Sequence, residues 1–491
     1  MKKQNSIKRN FVMNMILTIS SFLFPLITFP YVSRILLPEG VGKISFATSL
    51  ISYFNIFAQL GIPTYGVRAC ARVRDDRKEL TRTTQELLII NLVMNVISYV
   101  ALFAALVYVP RLQKEKSLYV IISFTMILTS IGMEWLYKAL EQYTYITVRS
   151  VAFKLIALIA MFLLIHEESD YILYGGISIF AGAASNIFNF FHAHKYIDFK
   201  LTYGYKLKRH FKPILLFLGM SCALTIYTNL DSVMLGFIKS DIEVGYYQSA
   251  VKIKLVLLGM VNSLGAVLLP RSSYYIENGM IDKFRELTRK AVTFVMLLSF
   301  PLMLYFMIFA REGIYFLCGE AYTGSITSLQ ILMPTIVFMG ITYIFGEQVL
   351  IPQGKEKYLL MSEIAGAVVD VVFNALLIPG YGAAGAAFGA VMAEISVFIV
   401  QFTAVKKEVD YFFYKIHYLD IVAGMILGTA ASFWVKILPI GNFVKLFISA
   451  VLFFGGYGVY LLLRKEEMVV EIWKIIIDKF MELTKLGSSA P

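Results

Sequence analysis

Long apolar stretches, each long enough to cross a lipid bilayer, dominate this sequence of 491 residues. A transmembrane helix needs roughly 20 predominantly apolar residues, and about fourteen such stretches can be read along the chain. Hydrophobic residues make up 58% of the sequence and charged residues 16%, whereas a soluble domain has about 45–50% and about 25%. No soluble core could bury that much apolar surface. The sequence therefore predicts an all-α polytopic membrane protein and excludes a disordered, fibrous or nucleic-acid-binding protein.

The predicted spans follow each other with short polar connections. They are 11–33, 40–62, 84–110, 117–139, 146–166, 170–192, 211–238, 246–270, 289–312, 325–351, 359–378, 383–405, 418–438 and 441–463.

The distribution of positive charge predicts the orientation of these spans. With the N-terminus inside, the inner segments carry 34 of the 45 lysines and arginines and the outer segments carry nine. Positive residues concentrate on the cytoplasmic side of membrane proteins, so both termini are predicted to be cytoplasmic. The net charge of +12 then lies mainly beside anionic lipid, and membrane lipid is an expected partner.

The longest polar interruption, residues 193–212, divides the spans into two groups. It is basic and predicted to be cytoplasmic, and we interpret it as a linker between an N-lobe (1–192, spans one to six) and a C-lobe (213–405, spans seven to twelve). Two additional helices are predicted within 406–465, and a cytoplasmic tail within 466–491.

Short matches between the two halves indicate an internal repeat. Val41-Gly42 recurs as Val244-Gly245 at an offset of 203, and the motif at 79–82 recurs at 286–289 at an offset of 207. In each half of the sequence, the matching motifs occupy the same place in the order of the spans. The sequence therefore predicts two pseudo-symmetric lobes related as parallel repeats, an architecture found in transporters.

Polar residues recur at helical spacing in spans one, two, seven and eight, so that each of these spans has one polar face. The candidates for a central polar cavity are Asn14, Thr18, Ser45, Ser49, Ser52, Asn55, Gln59, Thr225, Gln248 and Asn262. The alternative is that these groups only form hydrogen bonds between neighbouring helices.

Positively charged residues inside or beside the spans are candidates to bind an anionic head group. Lys252 and Lys254 lie about two turns into span eight, too deep to reach the interface easily. Arg34 lies at the first outer turn, and Arg68 and Arg271 follow spans two and eight. An ion pair within the lobe is the alternative for Lys254, snorkelling for Arg34, and ordinary inner anchoring for Arg68 and Arg271.

Two acidic residues are candidates for ion coupling. Asp231 lies in span seven, which has a polar face, and Glu134 lies near the inner end of span four. Asp231 is expected to bind a proton or cation, or to pair with Lys252. Transport could therefore be coupled to H⁺ or Na⁺, or be driven by the membrane potential alone.

Motifs typical of enzymes and metal sites are missing from the sequence. His166-Glu167 is not followed by the second histidine of a zinc-protease motif, no phosphate-binding P-loop occurs, and the three cysteines are far apart. We therefore expect no enzyme activity, no catalytic residue, no metal site and no cofactor.

Several segments resemble the Wzx-type oligosaccharide flippases of the polysaccharide-transporter family, within the larger group that contains multidrug extruders and lipid II flippases. The segment 133–154, MEWLYKALEQYTYITVRSVAFK, is similar to a hallmark of that family. The other similar segments are 29–74, 227–254, 268–273 and 378–394.

The resemblance implies two helical bundles that work by alternating access. It implies transport of an undecaprenyl-pyrophosphate-linked oligosaccharide from the inner to the outer leaflet for capsule or O-antigen assembly, with a polysaccharide polymerase and other assembly proteins as partners. By motif position it also implies that Arg34, Arg68 and Asp231 line the cavity. An ion-coupled multidrug exporter and a lipid II flippase remain alternatives.

Overall fold

The computed structural model describes residues 7–200, 204–263, 265–471, 473–474 and 477–478, and helices make up most of this part of the chain. In chain order the α-helices are α1 (Ile7–Gln59), α2 (Ile62–Ala71), α3 (Arg77–Tyr108), α4 (Pro110–Gln113), α5 (Lys116–Gly132), α6 (Glu134–Ala139), α7 (Tyr143–Leu164), α8 (Tyr171–Ile179), α9 (Asn186–His192), α10 (Lys208–Ile238), α11 (Asp241–Asn262), α12 (Gly265–Glu277), α13 (Ile281–Ile308), α14 (Ala310–Leu317), α15 (Ser325–Leu332), α16 (Pro334–Tyr343), α17 (Glu356–Phe412), α18 (Tyr418–Ser432) and α19 (Asn442–Leu463).

The two longest helices each contain a break, so that each supplies two membrane spans. At 1.5 Å per residue, the 53 residues of α1 and the 57 residues of α17 would each extend roughly 80 Å as straight helices, far more than the roughly 30 Å of a bilayer core. Leu37 in α1 has φ 55° and ψ 178°, and Gly382 in α17 has φ 53° and ψ −128°. Both breaks fall at the predicted outer turns after spans one and eleven.

The number of spans agrees with the sequence prediction. Among the described residues, eleven helical segments are long and apolar enough to cross a membrane, and two of them contain the doubled helices α1 and α17. Helix α11 is also long enough, with 22 residues, but it is less apolar because it carries Lys252 and Lys254. With α11 included, the predicted fourteen spans are accounted for.

The chain divides into two compact units. Unit 1 contains Met1–Gln248 together with Leu317–Tyr322 and Asn374–Ala383, and unit 2 contains the rest. The division falls within α11, after Gln248. The lobe, linker and tail boundaries read from the sequence remain predictions.

In unit 1, a buried carboxylate anchors the beginning of α10 to α3. Glu86 is fully buried, and it accepts hydrogen bonds from the Lys206 backbone nitrogen (2.6 Å), Arg209 Nε (2.9 Å) and His210 Nε2 (2.7 Å). The Tyr65 hydroxyl lies 2.8 Å from Nδ1 of His210. Because a buried carboxylate is stable only when it is fully paired, this network fixes the end of the segment predicted to be a linker.

In unit 2, the last two helices form a hairpin that packs on α13. Glycines permit the close approach, because a Cβ at Gly428 would lie 2.6 Å from the Phe453 carbonyl oxygen. The Tyr457 hydroxyl donates to the Leu297 carbonyl (3.0 Å), and the Tyr305 hydroxyl donates to the Leu446 carbonyl (2.9 Å). Hydrogen bonds from tyrosine hydroxyl groups therefore hold the hairpin of α18 and α19 against α13.

Candidate functional site

The two repeated Val-Gly pairs meet in unit 1, where α1 turns and α11 begins. A Cβ atom on Gly42 would overlap the Asp241 carbonyl oxygen, and a Cβ atom on Gly245 would overlap the Pro38 carbonyl oxygen. The nitrogen of Gly245 would also lie 3.0 Å from the Gly42 Cβ. Only glycine allows backbones to approach this closely. We call Pro38, Gly42, Asp241 and Gly245 the glycine collar.

Polar contacts also stabilise the glycine collar. The Arg111 guanidinium donates to the Gly236 carbonyl (3.0 Å) and to the Asp241 carboxylate. Glu243 accepts a hydrogen bond from the Ala383 backbone nitrogen at 2.6 Å. Through this contact the 374–383 segment joins unit 1, although it lies far away in the sequence.

Asp231 lies in a buried polar site on α10. Its carboxylate accepts hydrogen bonds from the Tyr247 hydroxyl and from Asn374 Nδ2, the latter at 2.7 Å. The Asn374 Oδ1 atom has no hydrogen-bond partner among the described residues. On the next residue, Ser232, the hydroxyl accepts from Gln248. Carboxylate and amide oxygens are ligands that suit hard cations and protons, so this arrangement can hold a small cation or a proton.

The polar face of the second half of α1 is partly used for packing within unit 1. Gln59 Nε2 donates to the hydroxyls of Thr129 (2.9 Å) and Ser130 (2.7 Å), both on α5. Asn55 Oδ1 accepts from Thr129 at 3.5 Å, and the Ser52 hydroxyl donates back to its own helix. Ser49 is buried and Ser45 is half-buried. Two residues of the predicted cavity, Asn55 and Gln59, therefore bond to a neighbouring helix.

The polar face of the first half of α1 is open and lies beside a lysine. Asn14 and Thr18 are exposed. Lys154, at the middle of α7, donates from Nζ to the hydroxyls of Ser20 (3.0 Å) and Ser21 (2.8 Å). This region of unit 1 thus combines hydroxyls, an amide and a cation at membrane depth.

The other predicted residues of unit 1 lie on α1, α2, α6 and α10. Arg34 is exposed and lies close to Gly319. Its Cγ atom would lie 3.7 Å from a Cβ atom placed on that glycine. Arg68 is exposed on α2, and Thr225 is half-buried on α10. Glu134 forms an ion pair with Lys138 at 2.9 Å. Glu134 therefore already has a cationic partner.

The remaining predicted residues belong to unit 2. Lys254 is 9% exposed, and Lys252 is half-buried on the same helix. Asn262 is half-buried, and its Oδ1 atom has no partner within the described part of the chain. Arg271 is exposed on α12. The two lysines therefore lie at the middle of α11, and their depth in the membrane remains a prediction.

Three residues beside these polar groups were not singled out by the sequence pattern. Tyr247 and Asn374 bind Asp231, but Asn374 is isolated within an apolar run and Tyr247 lies off the stripe that contains Gln248. Lys154 lies within the segment 133–154 that is similar to the family hallmark, and this similarity is the sequence signal that could have identified it. Among the described residues, no group of three or more His, Cys, Asp or Glu side chains is placed to hold a metal ion.

Comparison with known proteins gives two family matches. Residues 7–276 match the family described as polysaccharide biosynthesis protein, and residues 217–376 match the MatE family. A protein of Escherichia coli strain K12 named "Putative O-antigen transporter" is 23% identical over 407 residues, which cover 82% of this chain and 97% of that protein. A protein of the same name from Shigella dysenteriae is 25% identical over 81% of this chain and its own full length.

Solved structures share the fold. A structure of the lipid II flippase MurJ in an inward closed conformation has a TM-score of 0.71 at 15% identity and covers 92% of this chain and 98% of that one. An inward-facing multidrug resistance MATE family transporter has a TM-score of 0.58 at 15% identity and covers 83% and 99%. The prediction of an all-α polytopic membrane protein is thereby confirmed.

The first family match extends over more than half of the sequence, from the first span to the segment beyond the Asp231 site. It agrees with the resemblance carried by the segments 29–74, 133–154 and 227–254. This chain is a member of the polysaccharide biosynthesis protein family and has the fold of a multi-pass membrane transporter.

Proposed function

We propose that this protein is a flippase that moves undecaprenyl-pyrophosphate-linked oligosaccharide repeat units from the inner to the outer leaflet of the bacterial cytoplasmic membrane. The observation that carries the proposal is the similarity, over 82% of the chain, to a relative named for O-antigen transport. Both termini lie in the cytoplasm in this proposal. The product feeds capsule or O-antigen assembly, in which a polysaccharide polymerase is the expected partner.

The head group of such a substrate cannot cross hydrocarbon without help. Every sugar hydroxyl would lose its water partners, and each such loss costs about 2–7 kcal/mol. Polar faces inside the protein replace those partners while the lipid tail stays in the bilayer. Asn14 and Thr18 on α1 and Thr225 on α10 are the groups proposed to contact the glycan, because they are exposed or half-buried on membrane-spanning helices.

Cationic residues are proposed to hold the pyrophosphate. Lys252 and Lys254 lie at the middle of α11, and ionisable residues inside membrane spans usually face a cavity or a ligand. Hydrogen bonds between ammonium or guanidinium groups and phosphate are short and strong. Arg34, Arg68 and Arg271 are proposed to meet the phosphates at the two ends of the path.

The glycine collar is proposed to act as the closed outer end of the path. Its backbones are in direct contact, and its four residues lie at the turns that the charge distribution predicts to be outer. Alternating access requires that such a contact separates when the cavity opens outward. Separation of α1 from α11 at this point would release the head group to the outer leaflet.

Asp231 is proposed to couple transport to an ion. A proton or Na⁺ entering beside the Asp231 carboxylate would find a second ligand in Asn374 Oδ1, which has no hydrogen-bond partner among the described residues. The membrane potential is the alternative energy source, worth about 2.3 kcal/mol per elementary charge per 100 mV. Glu134 is the less suitable coupling residue, since Lys138 already neutralises it.

A lipid II flippase is the second candidate function, favoured by the TM-score of 0.71 to MurJ over 92% of the chain. Both candidates need a site for a polyprenyl pyrophosphate and differ in the glycan. A multidrug exporter for cationic drugs is disfavoured, because Lys252 and Lys254 would repel its substrates.

The test is complementation of a strain that lacks its own repeat-unit flippase, with lipid-linked intermediates quantified in each leaflet. Wild type should restore surface polysaccharide, and Lys252→Ala should leave the lipid-linked oligosaccharide on the inner leaflet. Lys357→Ala, at the exposed beginning of α17, is the matched control and should behave as wild type. The proposal fails if wild type rescues no glycan type but lowers the accumulation of drugs in the cell. Rescue of a strain that lacks its lipid II flippase would instead favour the second candidate.

A further inference from the structure

Lys154 is a cation at the middle of a membrane-spanning helix, the twelfth of the 22 residues of α7. Among the described residues it forms no ion pair. Its ammonium group donates instead to two neutral hydroxyls, those of Ser20 and Ser21. A positive charge at this depth is expensive unless an anion is nearby, and charged residues inside membrane spans usually face a cavity or a ligand.

Both serines donate their hydroxyl protons within α1 and present oxygen lone pairs to the ammonium group. The Ser20 hydroxyl donates to the Leu17 carbonyl at 2.7 Å, and the Ser21 hydroxyl donates to the same carbonyl at 2.9 Å. Because each hydroxyl has a single proton, only lone pairs remain to face Lys154. An ammonium group has three N–H donors, so one donor of Lys154 is left after the two serines.

The position of Lys154 is fixed by the pairing of α7 with α1. The Thr147 hydroxyl donates to the Met13 carbonyl (2.9 Å), and the Tyr31 hydroxyl donates to the Ile165 carbonyl (2.9 Å). These two pairs and the Lys154–Ser20 pair share a sequence offset of 134. The two helices therefore run parallel in constant register, and Lys154 lies between two fixed points.

Other charged groups near Lys154 already have partners. Glu134, whose charge acts on Lys154, lies 2.9 Å from Lys138. Arg149, on the same helix, donates to the Ser185 carbonyl (2.7 Å) and to Asn186 (3.2 Å) within the bundle. Lys154 differs from these groups in that it bonds to α1, the helix on which Asn14 and Thr18 are exposed.

We propose that Lys154, held by Ser20 and Ser21, binds a phosphate of the lipid-linked pyrophosphate substrate in unit 1. This proposal rests on the proposed function and adds to it a specific anion-binding residue. The remaining N–H of the ammonium donates to a phosphate oxygen, and the phosphate supplies a negative charge beside Lys154. Thr18 and Asn14, about one and two turns before Ser21 on α1, are proposed to lie beside the first sugar.

The test measures binding of three probes to the purified full-length protein: undecaprenyl pyrophosphate, undecaprenol and phosphatidylglycerol. Wild type should bind the pyrophosphate more tightly than undecaprenol. Lys154→Met should weaken binding of the pyrophosphate by about 10–100-fold, the equivalent of one charge-assisted hydrogen bond, and should leave undecaprenol binding unchanged. Lys154→Arg should retain most of the affinity. Lys357→Gln, which removes an exposed lysine at the beginning of α17, is the control.

Each outcome separates the two proposals. If wild type prefers the pyrophosphate and Lys154→Met binds it equally well, the assignment of Lys154 is wrong and the proposed function stands. Equal binding of undecaprenol and undecaprenyl pyrophosphate by wild type would overturn the proposed function itself. If Lys154→Met loses phosphatidylglycerol to the same extent as the pyrophosphate, the residue binds lipid phosphate in general and the substrate assignment is wrong. Should Lys154→Met fail to fold, the double variant Ser20→Ala/Ser21→Ala, which frees the ammonium, must lower pyrophosphate affinity by itself.

Discussion

Gly42 and Gly245 occupy matching positions in the two halves of the sequence, and each lies against the residue four positions before the other. Gly42 contacts the carbonyl of Asp241, and Gly245 contacts the carbonyl of Pro38. A contact with this reciprocal form is expected where two repeats related by an approximate twofold axis meet. The matching dipeptides that revealed the repeat in the sequence therefore also make the contact between its halves.

Substitution of Gly42 by alanine should break the glycine collar. The added methyl group overlaps the Asp241 carbonyl oxygen, and an overpacked contact typically costs about 1–3 kcal/mol. We expect a lower melting temperature in detergent and impaired transport of lipid-linked oligosaccharide. Gly219→Ala is the control, because a Cβ there has no neighbour within 4 Å. Equal melting temperatures for the two variants would contradict the tight contact.

Neutralisation of Asp231 should abolish ion-dependent stabilisation. A ligand that binds only the folded state raises its stability by RT ln(1 + [L]/Kd), so Na⁺ or acidification should raise the melting temperature of wild type. Asp231→Asn and Asn374→Ala should remove that increase, because they alter the two oxygen ligands. The exposed Asp75→Asn serves as the control. Ion coupling at this site is excluded if Asp231→Asn keeps the full ion-dependent shift together with transport.

Replacement of Glu86 by glutamine should loosen the beginning of α10. The change leaves Arg209 and His210 without their buried anion, and removal of one partner from a buried ion pair typically costs about 3–5 kcal/mol. Trypsin should then cleave faster at the lysines and arginines of 193–212. Glu79→Gln, whose carboxylate is half-exposed and 3.8 Å from Arg82, should leave cleavage unchanged. Identical cleavage of the two variants would mean that Glu86 does not anchor this segment.

A methyl group on Gly66 should displace Trp135. The Cβ of an alanine there would lie 2.7 Å from the indole ring, and Trp135 is only 3% exposed. With Trp434 and Trp473 replaced by phenylalanine, fluorescence reports on Trp135 alone. Gly66→Ala should shift that emission to longer wavelength, whereas Gly176→Ala, whose Cβ would meet only Ile121 at 3.8 Å, should not. An unchanged emission spectrum would show that the indole ring tolerates the methyl group.

Most of the fold could be predicted because membrane helices are specified by length and hydropathy. The fourteen spans and the turns near residues 37 and 382 follow from these quantities, whereas the outer location of those turns and the membrane depth of Lys252 remain predictions. Helix breaks such as the left-handed Leu37 could not be predicted, since a leucine before a proline gives no signal for positive φ. The short helix α2 was also missed, and α6 was read as the end of the span 117–139, because each lies at the end of an apolar run.

The candidate site could be predicted less well, because hydrogen-bond partners come from distant parts of the chain. Helical spacing identified Asp231 and Gln248, but it could not show that Asn374 is the partner of Asp231 from 143 positions away. Gln59 satisfied the spacing rule for a cavity and yet bonds Ser130 on a neighbouring helix. A stripe of polar residues thus predicts where polar partners are needed, but not whether a ligand or another helix supplies them.

The contact between Gly66 and Trp135 also constrains how this sequence can diverge. The indole occupies the volume that any side chain at position 66 would need, so the two positions are expected to vary together. A relative with a small residue at the position of Trp135 could carry alanine or serine at the position of Gly66. A relative that keeps the tryptophan should keep the glycine.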